Sequence, residues 1–278
     1  MKYENPEPPE EVNYPTDHPL RELAILLAGA LAVVAVLVVV LSVSAGWLAR
    51  QIPFAVERGW ATQFADRLPA REPDPLRDAA EARLQAMAER VAGLQGMPAD
   101  MRPVVHLLDD DRINAFATLG GHVMVTRGIL EKLPHENALV LLLAHEIAHV
   151  KHRDPVVALG RGLAVMTALA TLGGVGDGGA MTGRLQDAGL LTMLSFNRGQ
   201  ESAADEEALR TLALWYGHTA GATALFDVLV RAAAGHEPPE FMSTHPASED
   251  RLARMEAAET SGDTVPLPGE VVAWLAAD

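Results

Sequence analysis

The sequence predicts an α+β domain that is mainly α-helical with a small β-sheet, preceded by one N-terminal transmembrane helix. Three observations indicate this fold class. Leu23–Ala49 is apolar and contains no charged residue. Two short runs rich in branched residues, Pro103–Leu108 and His122–Thr126, are typical of strands, and helical periodicity of apolar residues dominates the chain after them.

Composition excludes several classes of protein. The chain of 278 residues holds 37 acidic against 22 basic side chains, a formal net charge of −15, and this balance argues against nucleic acid as a partner. The chain contains no cysteine. A disulfide framework and a thiolate zinc site are therefore both impossible, so a metal would be bound through His, Asp or Glu.

The uncharged stretch Leu23–Ala49 is long enough to cross a bilayer, since about 20 apolar residues suffice for a transmembrane helix. Residues 1–22, which precede it, are acidic and rich in proline, unlike the basic start of a cleaved signal peptide. We therefore expect a disordered tail followed by a retained single-pass anchor in the lipid bilayer. A buried core helix is the less favoured alternative, because such helices seldom lack charge over this length.

The basic residues that flank the anchor favour one orientation in the membrane. Lys2 and Arg21 precede the span, whereas five arginines follow it: Arg50, Arg58, Arg67, Arg71 and Arg77. By the positive-inside rule this excess predicts that the C-terminal domain lies in the cytoplasm. Several of these arginines lie beyond the window that the rule counts, and long domains translocate despite their charge. A periplasmic or extracytoplasmic domain is therefore the alternative.

A second apolar stretch, residues 156–175, contains Arg161 and ends among glycines. These features favour a buried or interfacial helix over a second membrane span. Whether this helix contacts the membrane is left open at this point.

The rest of the chain divides into a helical extension with a linker, residues 50–73, and one domain over residues 74–278. Prolines and charges cluster in residues 68–76, as expected of a linker. Asp74 and Pro75 provide an N-cap and a first-turn proline for a helix through Leu94. Apolar spacing predicts further helices at residues 136–152, 155–172, 184–216, 219–234 and 247–258.

One of these helices carries a metal-binding pattern. His145, Glu146 and His149 stand in the order H-E-x-x-H within an apolar run. Histidines four residues apart share one helix face, so both imidazoles could reach one Zn²⁺ while Glu146 leans toward a metal-bound water as general base. Zinc would also supply the polar partners that two histidines on a buried apolar helix require.

A zinc site of this type needs a third protein ligand. Position 155 is proline, which excludes the metzincin pattern that would place a histidine there. Downstream, Glu201 and Asp205 share a helix face at i, i+4 spacing, so Glu201 could ligate zinc while Asp205 accepts the N–H of a ligand histidine. Alone, this acidic pair would be typical of a solvated helix face.

Four blocks in order resemble the HtpX-like and CAAX prenyl endopeptidase family of membrane-associated zinc metallopeptidases: INAFATLGGHVMVTRGIL, ENALVLLLAHEIAHVKHRD, FNRGQESAADEEAL and STHPASEDRL. The resemblance covers the chain from near Asp74 to Met255. It implies a gluzincin fold and one Zn²⁺ per chain. In this family pattern His145, His149 and Glu201 would be the zinc ligands, Glu146 the catalytic base or acid, and Asp205 the supporting carboxylate.

The last block contains the family's H-P-x-x-x-x-R element as His245, Pro246 and Arg251. By the resemblance His245 would approach the metal or steady the oxyanion, and Arg251 would support the site. The alternative of a loop histidine and an arginine in an ordinary ion pair is left open. His152, which follows the H-E-x-x-H pattern, is not expected to be a ligand, since a histidine at a helix end also suits the helix dipole.

The first block resembles the family's substrate-binding edge strand, which would comprise Asn114, Ala115, Phe116, Gly121 and His122. An edge strand presents unpaired N–H and C=O groups that can hold an extended peptide by strand addition. That mode of binding favours unfolded or flexible substrates over one short sequence. His122 could equally be an exposed strand residue, and we prefer that interpretation.

The function implied is that of a membrane-anchored zinc metalloendopeptidase that hydrolyses peptide bonds of unfolded or misassembled proteins, in protein quality control. The alternative is a gated or silent peptidase that acts mainly as a chaperone-like interaction module, with the gate formed by residues 173–183 or by His245. A processing enzyme for prenylated C-terminal tails is less favoured, because that version of the family encloses its site among several membrane helices. A structural domain with accidental motifs is disfavoured by the four ordered blocks. No oligomeric state follows from the sequence.

Overall fold

The structure of the chain is a computed structural model, and it describes residues 19–65, 72–172, 196–234, 239–246 and 248–277. The elements are numbered here within those residues. The helices are α1 Pro19–Gln51, α2 Phe54–Ala65, α3 Pro75–Leu94, α4 Arg127–Leu130, α5 Glu136–Lys151, α6 Asp154–Leu172, α7 Arg198–Tyr216, α8 Ala224–Ala233, α9 Phe241–Thr244, α10 Glu249–Ala258 and α11 Gly269–Leu275. The strands are β1 Val104–Leu108, β2 Ala115–Ala117 and β3 His122–Thr126, with a 3₁₀ turn at Leu119–Gly121. The expected fold class, mainly helical with a small sheet, is confirmed.

Local sequence explains where several helices begin. The Asp74 side chain accepts the N–H groups of Leu76 and Arg77 at 3.0 and 3.1 Å, and Pro75 occupies the first turn of α3, as expected. The helix predicted over residues 184–216 is corrected at its start. Residues 184–195 lie outside the described residues, and α7 begins at Arg198 because Asn197 forms a capping box with Gln200.

Two further helices begin later than predicted. The helix expected from residue 219 begins at Ala224, because residues 219–223 form a turn in which Gly221 has a φ of +85°. The helix expected from residue 247 begins at Glu249, where the Ser248 side chain caps it. Glycine and polar residues therefore make both helices begin later than apolar spacing alone indicates.

The sheet has three strands in the order β1-β3-β2, so β3 lies in the centre. β1 pairs with β3 in parallel, and β2 pairs with β3 antiparallel. Ala115 and Phe116 lie on the edge strand β2, as the resemblance implied. Gly121 and His122 do not: Gly121 belongs to the 3₁₀ turn and His122 begins the central strand, so their assignment to an edge strand is wrong. The preferred interpretation of His122 as an exposed residue is also corrected, because its side chain is half-buried.

The core is organised around α5. All of its residues from Glu136 to Val150 are buried, and the helix packs against α3, β2, α7 and α8. A helix that is apolar on every face is stable only when other elements cover every face. The H-E-x-x-H residues therefore lie inside the domain, and any chemistry they perform takes place away from bulk solvent.

α1 is the one helix in the described ranges that is long and apolar enough to span a membrane, and its window of highest hydropathy has no buried residue. It packs along α6 through small residues. A β-carbon placed on Gly160 would lie 3.1 Å from the carbonyl oxygen of Ala45 and 3.2 Å from Cβ of Ala49. The apolar stretch that includes α6 is thus a helix beside the candidate membrane span.

α2 follows the candidate span and packs beneath the 3₁₀ turn, where Phe54 and Glu57 are buried. Gly120 and Gly121 in that turn have φ angles of +72° and +86°. A β-carbon on Gly120 would lie 2.6 Å from Cβ of Ala61, a distance that side chains do not tolerate. Two glycines are therefore required for α2 to reach the turn between β2 and β3.

Candidate metal centre

Four buried side chains from three segments converge on one point: His145, His149, Glu201 and His245. Nε2 of His145 lies 3.2 Å from Nε2 of His149 and 3.2 Å from Nδ1 of His245. A carboxylate oxygen of Glu201 lies 3.4 Å from Nε2 of His149 and 3.0 Å from Nδ1 of His245. One ligand atom from each residue lies within 4.8 Å of the other three.

These separations fit a tetrahedral zinc ion. Zinc–nitrogen and zinc–oxygen bonds of about 2.0–2.2 Å at tetrahedral angles place the ligand atoms about 3.3–3.6 Å apart. The distances of 3.0 to 3.4 Å that join Nε2 of His145, Nε2 of His149, Nδ1 of His245 and Oε1 of Glu201 lie close to that range. His and Glu are also the donors that zinc accepts in a chain without cysteine. The four residues could therefore hold the ion.

Two carboxylates set the tautomers of the α5 histidines. Nδ1 of His145 lies 3.1 Å from Oδ1 of Asp205, and Nδ1 of His149 lies 2.9 Å from Oδ2 of Asp154. Each Nδ1–H then donates to a carboxylate, which leaves the lone pair of each Nε2 directed at the point of convergence. Asp205 lies where the i, i+4 spacing from Glu201 predicts it.

Arg251 holds the α7 carboxylates in place. Its Nε and one terminal nitrogen donate to the two oxygens of Asp205 at 2.7 and 2.8 Å, and its other terminal nitrogen lies 2.5 Å from Glu201. The arginine is 4% exposed. A bidentate pair of this kind fixes the carboxylate plane and neutralises part of the buried negative charge.

The capping box of α7 explains why Glu201 is so well placed. The Asn197 side chain accepts the N–H groups of Gly199 and Gln200, which fixes the first turn of the helix. Glu201 follows in that same turn. The Gln200 side chain donates to Oδ1 of Asp154 at 2.6 Å, so the start of α7 is tied to the start of α6.

His245 is part of the centre. It follows the short helix α9 and is fully buried, and the ring of Phe241 stacks on it with the centroids 4.5 Å apart. Phe196 stacks in the same way on His149, with the centroids 4.1 Å apart. The structure therefore places His245 among the potential ligands, whereas the sequence left a loop position open.

Glu146 is fully buried beside the four potential ligands. Its Oε2 accepts the N–H of Ala117 at 2.8 Å, and its Oε1 lies 3.5 Å from Nε2 of His245. Within the described residues, neither Oε1 of Glu146 nor Nε2 of His245 has a hydrogen-bond partner. Buried polar atoms rarely stay unpaired in native proteins, so this pair marks the place where a water or substrate group is expected.

The edge strand β2 directs backbone groups at Glu146. The N–H of Thr118 donates to the carbonyl of His122 at 2.8 Å, and the N–H of Thr126 donates to the carbonyl of Asn114 at 3.1 Å. Because alternate residues of an antiparallel strand bond to the partner strand, Ala115 and Ala117 direct their backbone groups away from β3. The contact from Ala117 to Glu146 shows that this free side faces the candidate metal centre.

The centre attracts positive charge. Burial lowers the pKa of His145, but hydrogen bonds to Asp205 and Glu201 outweigh burial and raise it to about 10. The pKa of His149 is also raised, since Asp154 and Glu201 outweigh the effect of burial. Burial raises the pKa of Glu201, but hydrogen bonds to the surrounding histidines lower it overall. Carboxylates that hold protons on two neighbouring histidines would equally stabilise a divalent cation.

Burial acts differently on the other groups. It lowers the pKa of His245, despite the nearby carboxylates of Glu146 and Glu201. It raises the pKa of Asp205, but hydrogen bonds to His145 and Arg251 lower that pKa overall. Of the three histidines at the candidate metal centre, His245 is therefore the one that is most readily neutral, and a neutral imidazole can bind a metal.

Sequence reasoning missed a set of supporting residues. Asp154 was not assigned, although a carboxylate directly after the H-E-x-x-H helix is a usable signal. The sequence holds no comparable signal for Glu57. This residue is 2% exposed, accepts the N–H of Gly120 at 2.9 Å, and pairs with Arg153 at 2.7 Å. Arg153 in turn is the residue after His152 at the end of α5, and it has a φ of +62°.

Glu57 and Arg153 therefore connect three parts of the molecule. They are the helix after the candidate span, the turn between β2 and β3, and the end of the H-E-x-x-H helix. His152 lies outside the group of four potential ligands, as expected, and caps α5. Asn114, the remaining residue of the predicted edge strand, is buried directly before β2.

Fold and site together define a zincin-type metallopeptidase domain, with an H-E-x-x-H helix in the core, a glutamate from a second helix and an edge strand beside Glu146. The chain belongs to the peptidase family M48, whose model matches residues 78–259. The resemblance predicted from the four sequence blocks is thereby confirmed.

Curated relatives carry names consistent with that family. The chain is 30% identical over 200 residues to the mitochondrial metalloendopeptidase OMA1 of Schizosaccharomyces pombe, covering 70% of this chain and 56% of the relative. It is 33% identical over 162 residues to the β-barrel assembly-enhancing protease of Escherichia coli K12, covering 53% and 32%. It is 38% identical over 104 residues to a protease HtpX homolog of Acidiphilium cryptum, covering 36% and 32%. The chain thus spans between 32% and 56% of the length of these relatives.

Proposed function

We propose that this chain is a membrane-anchored zinc metalloendopeptidase that cleaves unfolded or misassembled polypeptides. The observation that carries the proposal is the convergence of His145, His149 and Glu201 around one point, with Glu146 directly beside it. Membership of peptidase family M48 supports the same reaction class.

In this proposal His145, His149 and Glu201 hold one zinc ion, and His245 offers a fourth ligand. The chemistry expected of zinc in this place is polarisation of the scissile carbonyl and acidification of the attacking water. Asp205 and Asp154 keep Nε2 of each histidine free to bind the metal. Arg251 positions Asp205 and Glu201 and takes no part in proton transfer.

Glu146 acts as general base and then as general acid. The N–H of Ala117 anchors Oε2, which orients Oε1 toward the candidate metal centre. Oε1 accepts the proton of the attacking water and passes it to the leaving amine. His245, whose Nε2 lies 3.5 Å from Oε1, is placed to donate a hydrogen bond to the developing oxyanion when it does not bind the metal.

Substrate selection follows from β2. Ala115 and Ala117 direct backbone groups to the site, so an extended peptide could add as a further strand and bring its carbonyl to Glu146. Strand addition reads backbone conformation more than side chains, and it requires a locally unfolded substrate. This supports a role in protein quality control, and one relative is named for enhancing β-barrel assembly.

The alternative of a silent, chaperone-like module is not favoured. Glu146 is present, is fixed by Ala117, and has an oxygen directed at the site. Such an arrangement would have no purpose in a protein that only binds. The geometry does support gating, because Nδ1 of His245 lies among the potential ligand atoms and could compete with a water for a place on a bound metal.

The proposed location is a membrane, with residues 23–49 as the lipid-facing anchor. Most large apolar side chains in this part of α1 are exposed, as expected of a helix surrounded by lipid, and Val34 and Val38 are partly covered. The arginines after the span favour a cytoplasmic catalytic domain, and an extracytoplasmic domain is the alternative. Processing of prenylated tails gains no support from the single candidate span in the described part of the chain.

The test is hydrolysis of casein and of an unstructured peptide by the purified full-length chain, with zinc content measured in parallel. We expect cleavage that a chelator abolishes and zinc restores. Glu146→Gln should lose at least about 100-fold in rate while it retains zinc. Glu206→Gln on the exposed side of α7 is the matched control and should behave as wild type. Wild-type rates in zinc-loaded Glu146→Gln would contradict the assignment.

A further inference from the structure

The helices α1 and α6 run antiparallel, because Arg153 directly before α6 donates to the carbonyl of Ile52 directly after α1, whereas Gly160 later in α6 meets Ala45 earlier in α1. Gly46 of α1 approaches Val157 and Arg161 of α6, since a β-carbon at Gly46 would lie 3.3 Å from the former and 3.0 Å from the latter. Gly160 of α6 approaches Ala45 and Ala49 of α1 in the same way. Small residues on both helices allow this close packing, which is typical of helix pairs in membranes.

The register gives the depth that α6 reaches along α1. Both helices rise about 1.5 Å per residue, so residues of α6 after Arg161 lie beside progressively earlier residues of α1. Gly160 contacts Ala45 and Ala49 of α1. If each further residue of α6 lies level with one earlier residue of α1, Thr167 lies level with Val39, to within about one helical turn. The end of α6 at Leu172 then lies near the middle of the uncharged stretch Leu23–Ala49.

The side chains of α6 change character along this path. Val156 and Val157 at its start are buried against the domain. Arg161 lies beside Gly46, close to the end of the uncharged stretch, where an arginine can extend its charged group to the membrane surface. Beyond it, residues 163–172 contain no charge.

Leu163 and Thr167 are the exposed side chains that the structure describes in this part of α6. Leu163 is 42% exposed, and Val43, at a comparable level of α1, is 64% exposed. The hydroxyl of Thr167 donates to the carbonyl of Leu163 at 2.8 Å, so it needs no water. An apolar surface continuous with a candidate membrane span has acyl chains as its natural partner.

We propose that α6 enters the bilayer beside α1 to about its midplane, with lipid acyl chains covering its second half. The inference rests on α1 being the membrane anchor of the proposed function. Its consequence concerns the substrate. α6 begins at Asp154, which binds His149 and Gln200, so insertion of α6 fixes the candidate metal centre at the membrane surface. Polypeptide segments that emerge from the membrane are then the substrates nearest to the site.

The absence of cysteine from the sequence makes a direct test possible. Single cysteines are introduced by Val36→Cys in α1, Leu163→Cys and Thr167→Cys in α6, and Val230→Cys in α8. Val230 is the matched control for Leu163, with 49% against 42% exposure. Each full-length variant is labelled with an environment-sensitive fluorophore and reconstituted in phosphatidylcholine vesicles, with zinc content as the check on folding.

Lipids that carry a nitroxide at a shallow or a deep position of the acyl chain then report depth. We expect the fluorophores at positions 36, 163 and 167 to be quenched several-fold more strongly than the one at position 230. Position 167 should favour the deep quencher more than position 163 does. Quenching by lipid distinguishes acyl chains from a covering protein segment or a second copy, neither of which carries the nitroxide.

The two proposals fail separately. If position 36 is not quenched, α1 is not a membrane anchor and the proposed location is wrong. If position 36 is quenched while positions 163 and 167 are no more quenched than position 230, the anchor stands and the insertion of α6 is overturned.

Discussion

α5 and α6 follow one another in the chain and are both apolar, but they lie in different surroundings. α5 is buried on all sides from Glu136 to Val150, and it carries two of the four potential metal ligands together with Glu146. α6 is buried only at its start and then follows α1, with Leu163 exposed. Two neighbouring helices of similar composition thus lie in different places, one in the core beside the candidate metal centre and one along the candidate membrane span.

The difference shows that the partner of an apolar helix decides its role. α5 is surrounded by the sheet side and by α3, α7 and α8, and these neighbours supply a backbone N–H group to Glu146 and a carboxylate to His145. α6 has α1 as its main partner, and α1 supplies only small and apolar side chains. Buried polar groups are tolerated in α5 because they find partners there, with Oε1 of Glu146 as the exception among the described residues.

The largest effect is expected at Glu201, the potential metal ligand that α7 brings to α5. Glu201→Ala removes one of the four potential ligands and the only carboxylate among them. We expect loss of zinc on purification and loss of peptidase activity, measured by elemental analysis and by casein cleavage. Glu206→Ala, five residues further along α7 and on its exposed side, should keep both the zinc and the activity. Full zinc occupancy in Glu201→Ala would exclude it as a ligand.

The second prediction compares how tightly α5 and α6 are packed. Leu142→Ala in α5 leaves a cavity in a fully buried site and should lower the free energy of unfolding by about 2–5 kcal/mol. Leu163→Ala in α6 should cost less than about 1 kcal/mol, since the side chain is 42% exposed and the surroundings replace its contacts. Denaturant unfolding of both variants in the same detergent makes the comparison. Equal losses would mean that α6 is as tightly enclosed as α5.

The third effect concerns two ion pairs at the end of α5. Glu57→Gln weakens a buried pair with Arg153 and should cost about 1.5–3 kcal/mol in unfolding free energy. Glu207→Gln weakens the more exposed pair with Lys151 and should cost about 1 kcal/mol or less. Glu57→Gln should also raise KM for an extended peptide more than it lowers kcat, because Glu57 supports the turn beside β2. A matching KM shift in Glu207→Gln would remove the special role of Glu57.

The smallest effect is expected where α6 meets the site. Asp154→Ala removes the acceptor of the His149 N–H and should weaken zinc binding by about 10–100-fold, with the metal still bound at saturating zinc. Competition with a chelator of known affinity measures the change. Asp227→Ala, an exposed aspartate on α8, is the control and should leave the affinity unchanged. An unaltered affinity in Asp154→Ala would show that α6 does not contribute to the centre.

Much of the site could be predicted from sequence because it depends on helix geometry. The i, i+4 spacing places His145 and His149 on one face, and the same spacing places Glu201 and Asp205 on another helix. Whether those two helices face each other is a tertiary question, and the family resemblance answered it where spacing could not. The sequence pattern did not indicate the role of Asp154, because that role depends on the turn that follows α5, in which Arg153 has a positive φ.

By itself the sequence determined the apolar α1, the capped start of α3, the two longer strands and the H-E-x-x-H face, since each depends on residues within one or two turns of one another. Only the tertiary structure decided that His245 joins the centre, that Ala117 anchors Glu146, that Glu57 is buried, and that α6 follows α1. These features join residues far apart in the chain. Their energies come from burial and from satisfying polar groups, and both depend on which elements become neighbours when the chain folds.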